Sequence, residues 1–406
     1  MLDLKEVILE QARRYDSFYL YDERGIDDAV RRLKTDLGAA EFLYSLKANP
    51  HPAVAESLFA HGLGADAASL AEVEQAHRSG LGPERIHYSA PGKRTVDLEG
   101  ALERSTLIAD SLEEIALIQR LAAARRITAK IGVRINPDFT FAGDGGQPSK
   151  FGIDEALAFQ AVPAWKALPN VRIAGIHVHL RSQELHAPVL EGYYRRVLAL
   201  AAAFQKALGE KLEFVNLGSG LGIPYGEGDR PLDTKALGRR TARLAEAFRE
   251  RLPGARLILE TGRYAVGKSG YYVTRVLDRK ESMGTTFLIL SNTLNGFLRP
   301  CLAQLVANYA GDGVPAGSEP LFTAVDAFPC EALTGEGPEE TVTLAGNLCT
   351  ASDVIARDVT LPRLQRGDLV VVKNAGSYGA VLSPMQFSSQ PPPAQLFLSR
   401  DGVVTG

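Results

Sequence analysis

The sequence predicts an α/β protein: a parallel (β/α)8 barrel of the TIM type, joined to a C-terminal, mostly antiparallel β domain. Two observations support this fold class. Eight short β-type segments alternate with amphipathic helical segments between about residues 40 and 260, which is the pattern of repeated βα units. From Gly267 onwards, β-rich runs follow one another with turn residues between them. The 406 residues are enough for both domains.

The predicted barrel strands cover residues 42–47, 64–67, 86–89, 106–109, 130–136, 173–180, 214–217 and 257–260. Amphipathic segments at residues 69–79, 112–125 and 193–208 predict helices between them. An open doubly wound sheet uses the same units and is the alternative fold. The barrel is favoured because residues able to do chemistry follow many of the strands, whereas an open sheet gathers them at one switch point.

The second domain is predicted from β-rich runs at residues 271–277, 287–290, 341–344, 368–373 and 394–398. The strand-like residues 18–21 near the N-terminus could belong to the same domain. We therefore expect a cofactor-binding barrel over residues 26–266, and a β-rich domain formed by residues 1–25 together with 267–406.

Composition excludes several classes of partner. The chain is 45% hydrophobic and 23% charged with a net charge of −3, which provides no field for nucleic acid or an anionic membrane. Its three cysteines, Cys301, Cys330 and Cys349, lack metal-ligand spacing and indicate a reducing cytoplasm. The first 16 residues mix charges throughout, and no apolar run approaches the roughly 20 residues that span a bilayer.

Lys47 ends the first predicted barrel strand, within the run from Tyr44 to Ala48. Its apolar neighbours predict a desolvated side chain, and desolvation lowers the pKa of an ammonium group towards the nucleophilic free amine. Such a lysine can form a Schiff base with a carbonyl cofactor. A structural lysine at the mouth of the barrel is the alternative.

Glycine spacing after the seventh strand indicates an anion site. Gly218, Gly220 and Gly222 alternate with other residues, so that backbone N–H groups can converge on a phosphate without interference from Cβ atoms. A purely structural turn is the alternative. Glu260, Gly262 and Arg263 close the eighth strand.

Glu260 and Arg263 can form a simple salt bridge, or they can divide the work of holding a cofactor. In the second interpretation Glu260 keeps a proton on a pyridine nitrogen, which turns the ring into an electron sink. Arg263 then faces a phosphate or carboxylate with its planar guanidinium.

The sixth strand ends in His177, His179, Arg181 and Ser182. A metal-binding histidine pair is conceivable, but no carboxylate or cysteine accompanies it at ligand spacing, and no metal is expected. A histidine stacked on a flat aromatic cofactor, with Ser182 reaching its phosphate, fits this segment better, and a satisfied core histidine is the alternative for His177. Near the C-terminus, Cys349 lies in a polar loop where a thiol can carry a proton, and Tyr378 is placed to approach an anion.

These motifs occur in one order along the chain, from Lys47 to Tyr378, and together they resemble a known family. It is the pyridoxal-phosphate-dependent decarboxylases of the alanine-racemase-like fold, fold-type III, which includes diaminopimelate and ornithine decarboxylases. The resemblance covers about residues 18–398. It implies pyridoxal 5'-phosphate as the cofactor and a homodimer with shared active sites, in which the Cys349 loop reaches the partner's site.

The resemblance also implies roles for individual residues. Lys47 would form the Schiff base, His179 would stack on the ring, and Cys349 would return a proton after carboxylate loss; these three form the predicted catalytic set. The phosphate would be held by Gly220, Ser182, Arg263 and Tyr378. The full predicted cofactor-binding set is Lys47, Asp66, His179, Ser182, Gly218, Gly220, Glu260, Gly262, Arg263 and Tyr378.

The implied substrate-binding set is Arg134, Arg181, Arg299, Thr350 and Asp353. Asp66 and Arg134 match a carboxylate–guanidinium pair near the catalytic lysine, and Arg299 matches an arginine that binds a substrate carboxylate.

Two departures from the family bear on the substrate. Where diaminopimelate and ornithine decarboxylases have an acidic residue after the cysteine, this chain has Thr350, which cannot compensate a desolvated distal ammonium group. Arg181 replaces the usual glycine and adds positive charge. Both suit an anionic distal end. Segments 270–278, 348–350 and 353–357 are similar to the decarboxylases of citrate-based siderophore biosynthesis, which act on an amino acid already joined to citrate.

The sequence therefore predicts decarboxylation of a carboxylate-rich small molecule, with a citryl-amino acid such as citryl-diaminopropionate as the expected substrate. Decarboxylation of free diaminopimelate, lysine or ornithine is the first alternative. An amino-acid racemase is disfavoured by Glu260, because racemases of this fold place an arginine against the ring nitrogen. An inactive regulatory homologue is disfavoured by the joint presence of Lys47, Glu260 and Cys349.

Overall fold

The computed structural model describes residues 3–141, 143–226, 228–309 and 324–406. The strands, in chain order, are β1 (Ser17–Asp22), β2 (Glu41–Ser45), β3 (Gly64–Ala67), β4 (Ile86–Tyr88), β5 (Thr106–Ala109), β6 (Ala129–Asn136), β7 (Ile153–Asp154), β8 (Val171–His177), β9 (Phe214–Asn216), β10 (Arg256–Thr261), β11 (Gly270–Ser282), β12 (Thr285–Leu290), β13 (Cys330–Ala332), β14 (Glu339–Gly346), β15 (Val354–Pro362), β16 (Leu369–Val372), β17 (Ala394–Leu398) and β18 (Val404–Thr405). The α-helices are α1 (Leu4–Gln11), α2 (Glu23–Asp36), α3 (Pro52–Ala60), α4 (Leu70–Arg78), α5 (Thr95–Ala101), α6 (Leu112–Arg125), α7 (Glu155–Lys166), α8 (Ala187–Leu208), α9 (Thr234–Phe248), α10 (Arg263–Val266) and α11 (Leu298–Tyr309).

The described residues form two compact units. The barrel unit lies within Val30–Gly222 and Pro231–Gly262, and the second unit lies within Met1–Ala29, Ile223–Arg230 and Arg263–Gly406. The expected domain boundaries at residues 26 and 266 stay a prediction.

A closed ring of eight parallel strands forms the core of the barrel unit. The order is β2-β3-β4-β5-β6-β8-β9-β10, and β10 pairs with β2 to complete the circle. Because all eight strands run in parallel, their carboxyl ends meet at one face, where barrel enzymes place their functional groups. The predicted (β/α)8 barrel is thereby confirmed, and the open sheet is excluded.

Phe214 fills the barrel interior because two neighbouring strands carry glycine opposite it. A Cβ atom added to Gly132 would lie 2.9 Å from the Phe214 ring, and one added to Gly175 would lie 2.6 Å from it. Phe214 packs there with Leu43 and Ile108, among other buried apolar residues. The interior is therefore a packed core, as expected for a barrel of this size.

The second unit is built on a mixed, mostly antiparallel sheet. Its main path is β15-β14-β12-β11-β1-β17-β18, with β16 pairing to β11 and β13. The N-terminal β1 lies in the middle, antiparallel to β11 and parallel to β17. Phe18 and Leu20 of β1 pack against Val273 in its apolar core. The predicted β-rich domain is confirmed.

The first and sixth barrel strands, beside Lys47 and His179, end earlier in the structure than predicted. The first barrel strand stops at Ser45, and Lys47 lies in the 3-10 turn Leu46–Ala48. The sixth stops at His177, since parallel pairing ends there and the chain then turns, with Gln183 in the left-handed region at a φ of 64°. The sequence patterns also missed β15, whose exposed Arg357 and Asp358 break the apolar run. No helix in the described ranges combines the length and apolar character needed to cross a membrane.

Candidate active site

Lys47 lies at the carboxyl end of β2, beside a buried acid. Its Nζ atom is 3.1 Å from Oδ2 of Asp66. The Lys47 side chain is 42% exposed, whereas that of Asp66 is fully buried. The expectation of a desolvated lysine inside a strand is therefore wrong for this chain, because the turn after Ser45 carries the ammonium group out to the mouth of the barrel.

Asp66 is held by two serines from the neighbouring strands. Ser89 Oγ donates to Oδ1 over 2.6 Å, and Ser45 Oγ donates to Oδ2 over 2.8 Å. These hydrogen bonds satisfy a carboxylate that burial would otherwise destabilise. Neither serine was singled out from the sequence. The available signal was that Ser45 ends β2 and Ser89 directly follows β4. Because the carboxyl ends of the barrel strands line the same face, both hydroxyl groups could have been placed near Asp66.

The predicted pairing of Asp66 with Arg134 is wrong. Arg134 belongs to β6, and its guanidinium lies 3.8 Å from Asp110 and stacks 4.4 Å from the ring centre of Phe151. Asp110 follows β5, which is the direct neighbour of β6, whereas Asp66 is on β3, three places round the barrel. Arg134 also approaches the carbonyl oxygen of His179 at 3.5 Å.

Glu260 provides a buried, ionised carboxylate in β10. Its Oε1 atom lies 3.1 Å from Nε2 of His177 and accepts a 2.9 Å hydrogen bond from Nδ2 of Asn216. Burial opposes ionisation, but His177 and Lys47 outweigh it, and the pKa of Glu260 lies well below its ordinary value. Glu260 can therefore stabilise a proton on a heterocyclic nitrogen.

His177 and His179 have different partners. His177 faces Glu260 inside the barrel, while Nδ1 of His179 accepts a 3.0 Å hydrogen bond from the N–H of Ser219. Burial lowers the pKa of His179 to about 3, so its imidazole is a neutral, flat surface. Among the residues described, no cluster of three or more His, Cys, Asp or Glu side chains is arranged to hold a metal ion.

The glycine-rich loop follows β9 and packs tightly on the chain after β8. Gly218 has a φ of +68°, and a Cβ atom there would lie 2.5 Å from the carbonyl oxygen of Val178 and 2.9 Å from Cα of His179. Gly220 has a φ of +138°. Only glycine accepts both the left-handed backbone and the close approach. Within the loop, the N–H of Gly218 donates to Oδ1 of Asn216 and the N–H of Ser219 donates to Nδ1 of His179, which fixes the loop beside that ring.

Glu184 joins this loop to the segment carrying Arg181 and Ser182. Its backbone N–H donates to the carbonyl of Gly220 over 2.8 Å, and its buried carboxylate accepts from Arg181 at 3.0 Å and contacts His186 at 2.7 Å. Arg181 is thus partly neutralised within the chain. Glu184 was not predicted from the sequence; its signal was an acid three residues after an arginine at a predicted strand end.

In the second unit, two arginines flank Tyr378. The guanidinium carbons of Arg263 and Arg299 lie 5.1 and 5.7 Å from its ring centre, and Arg299 is buried. Nη1 of Arg263 also lies 3.4 Å from the hydroxyl of Tyr225, a residue that was not predicted. Tyr378 adopts a φ of 55°, a left-handed conformation that is costly for tyrosine. The positive charge and the phenol are suited to an anion.

Cys349 is exposed in the loop between β14 and β15, also in the second unit. Asp353 organises this loop: its Oδ1 accepts from the N–H of Leu294 at 2.9 Å and from the hydroxyl of Thr293, and its Oδ2 accepts from the N–H of Leu348 at 3.0 Å. Both carboxylate oxygens are engaged inside the protein. Asp353 therefore stabilises the conformation of the loop through these hydrogen bonds.

Enzymes that use pyridoxal phosphate need a lysine for its aldehyde, an acid for its ring nitrogen and N–H groups for its phosphate. The barrel unit presents Lys47, ionised Glu260 and the Gly218 loop at the carboxyl ends of its strands. Fold and site thus define a fold-type III pyridoxal phosphate enzyme.

The particular family follows from comparison with known proteins. Residues 23–267 match the family described as "Pyridoxal-dependent decarboxylase, pyridoxal binding domain", and the chain belongs to this family. It is 33% identical to L-glutamyl-[BtrI acyl-carrier protein] decarboxylase of Niallia circulans, over 99% of this chain and 92% of that protein. It is 28% identical to diaminopimelate decarboxylase of Zymomonas mobilis, over 94% and 87% of the two chains.

A solved structure agrees with the sequence relatives. The crystal structure of diaminopimelate decarboxylase from Helicobacter pylori complexed with L-lysine superposes with a TM-score of 0.82 at 26% identity, covering 99% of this chain and 95% of that one. The chain is therefore a pyridoxal-phosphate-dependent amino-acid decarboxylase, a carboxy-lyase. The predicted family, cofactor and enzyme class are confirmed.

Proposed function

We propose that this decarboxylase removes the α-carboxylate of an amino acid whose distal end is a carboxylate-bearing conjugate. The first candidate is a citryl-amino acid, such as citryl-diaminopropionate, in siderophore biosynthesis. The observation that carries the proposal is Thr350, directly after Cys349. Its hydroxyl lies 2.8 Å from that of Ser352 and offers no negative charge.

A free distal ammonium group has no partner in this loop. Asp353 is the only acidic residue in the sequence from Gly346 to Asp353, and both its oxygens are used within the protein. Burying an unpaired ammonium group costs several kcal/mol, on the order of the penalty for any uncompensated charge. Lysine, ornithine and diaminopimelate are therefore disfavoured as substrates.

Arg181 supports an anionic distal group. It lies two residues after His179 at the end of the barrel, where Glu184 holds its guanidinium and the ring of Phe141 lies 5.7 Å away. Glu184 compensates part of the positive charge of Arg181 and orients its guanidinium group. When a substrate carboxylate binds, Arg181 can pair with it in place of Glu184 or in addition to Glu184.

The barrel residues have proposed roles that follow from their contacts. When bound, pyridoxal phosphate supplies an electron-accepting ring that stabilises the charge left on the α-carbon. Lys47 would hold the aldehyde, with Asp66 accepting from its amine. Glu260 would keep a proton on the ring nitrogen, and neutral His179 would lie against the ring face without adding charge. The N–H group of Gly220, together with Ser182, would bind phosphate.

Residues of the second unit have proposed roles as anion and proton donors. Arg263 and Tyr378 are proposed phosphate ligands, and buried Arg299 is a proposed ligand of a substrate carboxylate. The Cys349 thiol would donate the proton that replaces the lost carboxylate. Its exposure on the isolated chain supports a homodimer in which this loop completes the partner's site. We also propose a cytoplasmic location, which the three unpaired cysteines support.

A carrier-bound amino acid is the second candidate substrate. The relative from Niallia circulans, 33% identical over almost the whole chain, acts on a glutamyl group attached to an acyl-carrier protein. Such a substrate likewise presents no free distal ammonium group, so Thr350 is compatible with both candidates.

Carbon dioxide release from a defined set of substrates tests the proposal. We expect the highest kcat/KM on citryl-diaminopropionate, or on a glutamyl-carrier protein if the second candidate holds. Free lysine, ornithine and diaminopimelate should be at least about 100-fold poorer, a difference of about 3 kcal/mol. Equal or faster turnover of a free diamino acid would overturn the proposal.

A further inference from the structure

A chain of buried polar contacts crosses the interior of the barrel and ends on Glu260. It begins at His87 in β4, which is fully buried and lies 4.7 Å from the ring of Phe214. Nδ1 of His87 is 3.4 Å from Nδ2 of Asn216 in β9, and the same Nδ2 donates to Oε1 of Glu260 over 2.9 Å. No motif of the sequence analysis includes His87.

The backbone determines which way the Asn216 amide points. Its Oδ1 accepts a 2.9 Å hydrogen bond from the N–H of Gly218, so its NH2 group faces both Glu260 and His87. An amide NH2 only donates, and Nδ1 of His87 must therefore be the acceptor. Burial lowers the pKa of His87 to about 3, so the ring is neutral and carries its single proton on Nε2.

The same contacts make the two oxygens of Glu260 unequal. Oε1 has two neighbours, Asn216 at 2.9 Å and His177 at 3.1 Å, whereas Oε2 receives no hydrogen bond from the residues that the structure describes. Lys47 and His179 contribute the other charges and dipoles that act on this carboxylate. Because Asn216 and His177 both lie against Oε1 of Glu260, Oε2 remains available to a ring nitrogen.

We propose that His87 and Asn216 are positioning residues for the decarboxylation: the chain from His87 Nδ1 through the Asn216 amide holds Glu260 by Oε1 and reserves Oε2 for the ring nitrogen of the cofactor. The inference rests on the proposed role of Glu260. It concerns residues that touch neither substrate nor cofactor and that act only through the carboxylate.

Three variants separate positioning from packing. Asn216→Asp keeps an acceptor for Gly218 but replaces the donor with a second carboxylate facing Oε1. His87→Leu removes the acceptor, and His87→Asn restores one, because its amide oxygen can take the place of Nδ1. Tyr194→Phe is the matched control, since its buried hydroxyl makes no hydrogen bond within the described ranges.

The first readout is the Kd for pyridoxal phosphate, measured by titrating each apoprotein, with kcat and KM on the best substrate. Asn216→Asp should raise the Kd about tenfold or more and lower kcat with little change in KM, because a hydrogen bond to a charged group is lost and repulsion replaces it. His87→Leu should raise the Kd a few-fold, and His87→Asn should recover most of that loss. If the Kd, kcat and KM of all three variants equal those of Tyr194→Phe, the inference is overturned.

The second readout needs no variant. Nitrogen-15 NMR of the histidine side chains in the wild-type apoprotein, with His87 identified by sequential assignment, should show a proton on Nε2 and none on Nδ1. A proton on Nδ1 would contradict the proposed contacts from His87 through Asn216 to Glu260, even if the variants failed to fold.

Glu260→Gln, measured in parallel, distinguishes the inference from the function on which it rests. If Glu260→Gln binds the cofactor and turns over like wild type, the role of Glu260 and the inference fail together. If Glu260→Gln is impaired while Asn216→Asp and His87→Leu match the control, the role of Glu260 stands and the positioning chain alone is overturned.

Discussion

Lys47 Nζ lies 3.1 Å from Oδ2 of Asp66, and this pair joins a solvent-accessible amine to a fully buried carboxylate. The buried partner is fixed by Ser45 and Ser89, whereas the side chain of the lysine, in its short turn, is 42% exposed. We expect this pair to suit the proposed role of Lys47, in which the amine changes partners during each turnover, because the acid keeps the amine near the site without enclosing it.

Lys47→Ala should yield a protein that lacks the visible absorbance of bound cofactor and has no measurable decarboxylase activity, since the amine that holds the aldehyde is gone. Absorbance spectra of the purified proteins and carbon dioxide release check this. Lys130→Ala is the control, because Lys130 is an exposed lysine of the same unit, paired with Glu213. Wild-type absorbance and turnover in Lys47→Ala would remove Lys47 from the mechanism.

Thr350→Glu should raise kcat/KM on free diamino acids about tenfold or more and weaken activity on the conjugated substrate. The introduced carboxylate would pair with a distal ammonium group and repel a distal anion. Steady-state kinetics on both substrate types measure the switch. Thr350→Val, which changes the side chain without adding charge, should not gain diamino-acid activity. A loss on both substrate types would show that residue 350 does not select the distal group.

Cys349→Ala should lower kcat by about 100-fold, the usual contribution of a positioned proton donor, with a smaller change in KM. Cys349→Ser replaces the thiol with a weaker acid, a hydroxyl, and its kcat should lie between those of wild type and Cys349→Ala. Steady-state kinetics, with product analysis for side reactions, provide the test, and an unchanged kcat would contradict the proposed proton transfer.

Mixing Lys47→Ala and Cys349→Ala chains tests whether the Cys349 loop serves the partner's site. If it does, a mixed dimer contains one site with both residues intact, and a random mixture should recover about a quarter of wild-type activity. This follows from counting sites in a two-fold assembly. If both residues of a site come from one chain, the mixture should show no recovery above the two mutants alone.

Glu72→Gln should change how stability depends on pH. Burial raises the pKa of Glu72 to about 7 in the folded protein, above its ordinary value of 4.5. The folded state therefore retains a proton that the unfolded chain releases. The stabilisation is complete below pH 4.5 and is lost as pH rises through about 7. Glutamine stays neutral, so the variant should match wild type at pH 4 and exceed it by up to about 3 kcal/mol at pH 8.

Denaturant unfolding at the two pH values measures this difference. Glu74→Gln, a more accessible acid on the same helix, should change the free energy of unfolding by less than about 1 kcal/mol at either pH. Identical pH dependence in wild type and Glu72→Gln would contradict the burial argument.

Much of the fold was predictable because it depends on local periodicity. The strand at residues 64–67 and the helix at residues 112–125 were predicted with the bounds that the structure has. Strand ends were less predictable. Nothing in the apolar run around Lys47 shows that hydrogen bonding to β3 ends at Ser45. That limit depends on register between strands, which the sequence of one strand does not contain.

By itself, the sequence determined the types of residue at strand ends, and hence the family, the cofactor and the reaction class, because the chemistry requires a lysine, glycines and an acid, and these follow the first, seventh and eighth strands. Only the tertiary structure decided which side chains these residues contact. Arg134 pairs with Asp110 rather than Asp66 because β5 is the direct neighbour of β6 in the barrel, whereas β3 is three strands away. Asn216 contacts both His87 and Glu260 because strands distant along the chain enclose one interior.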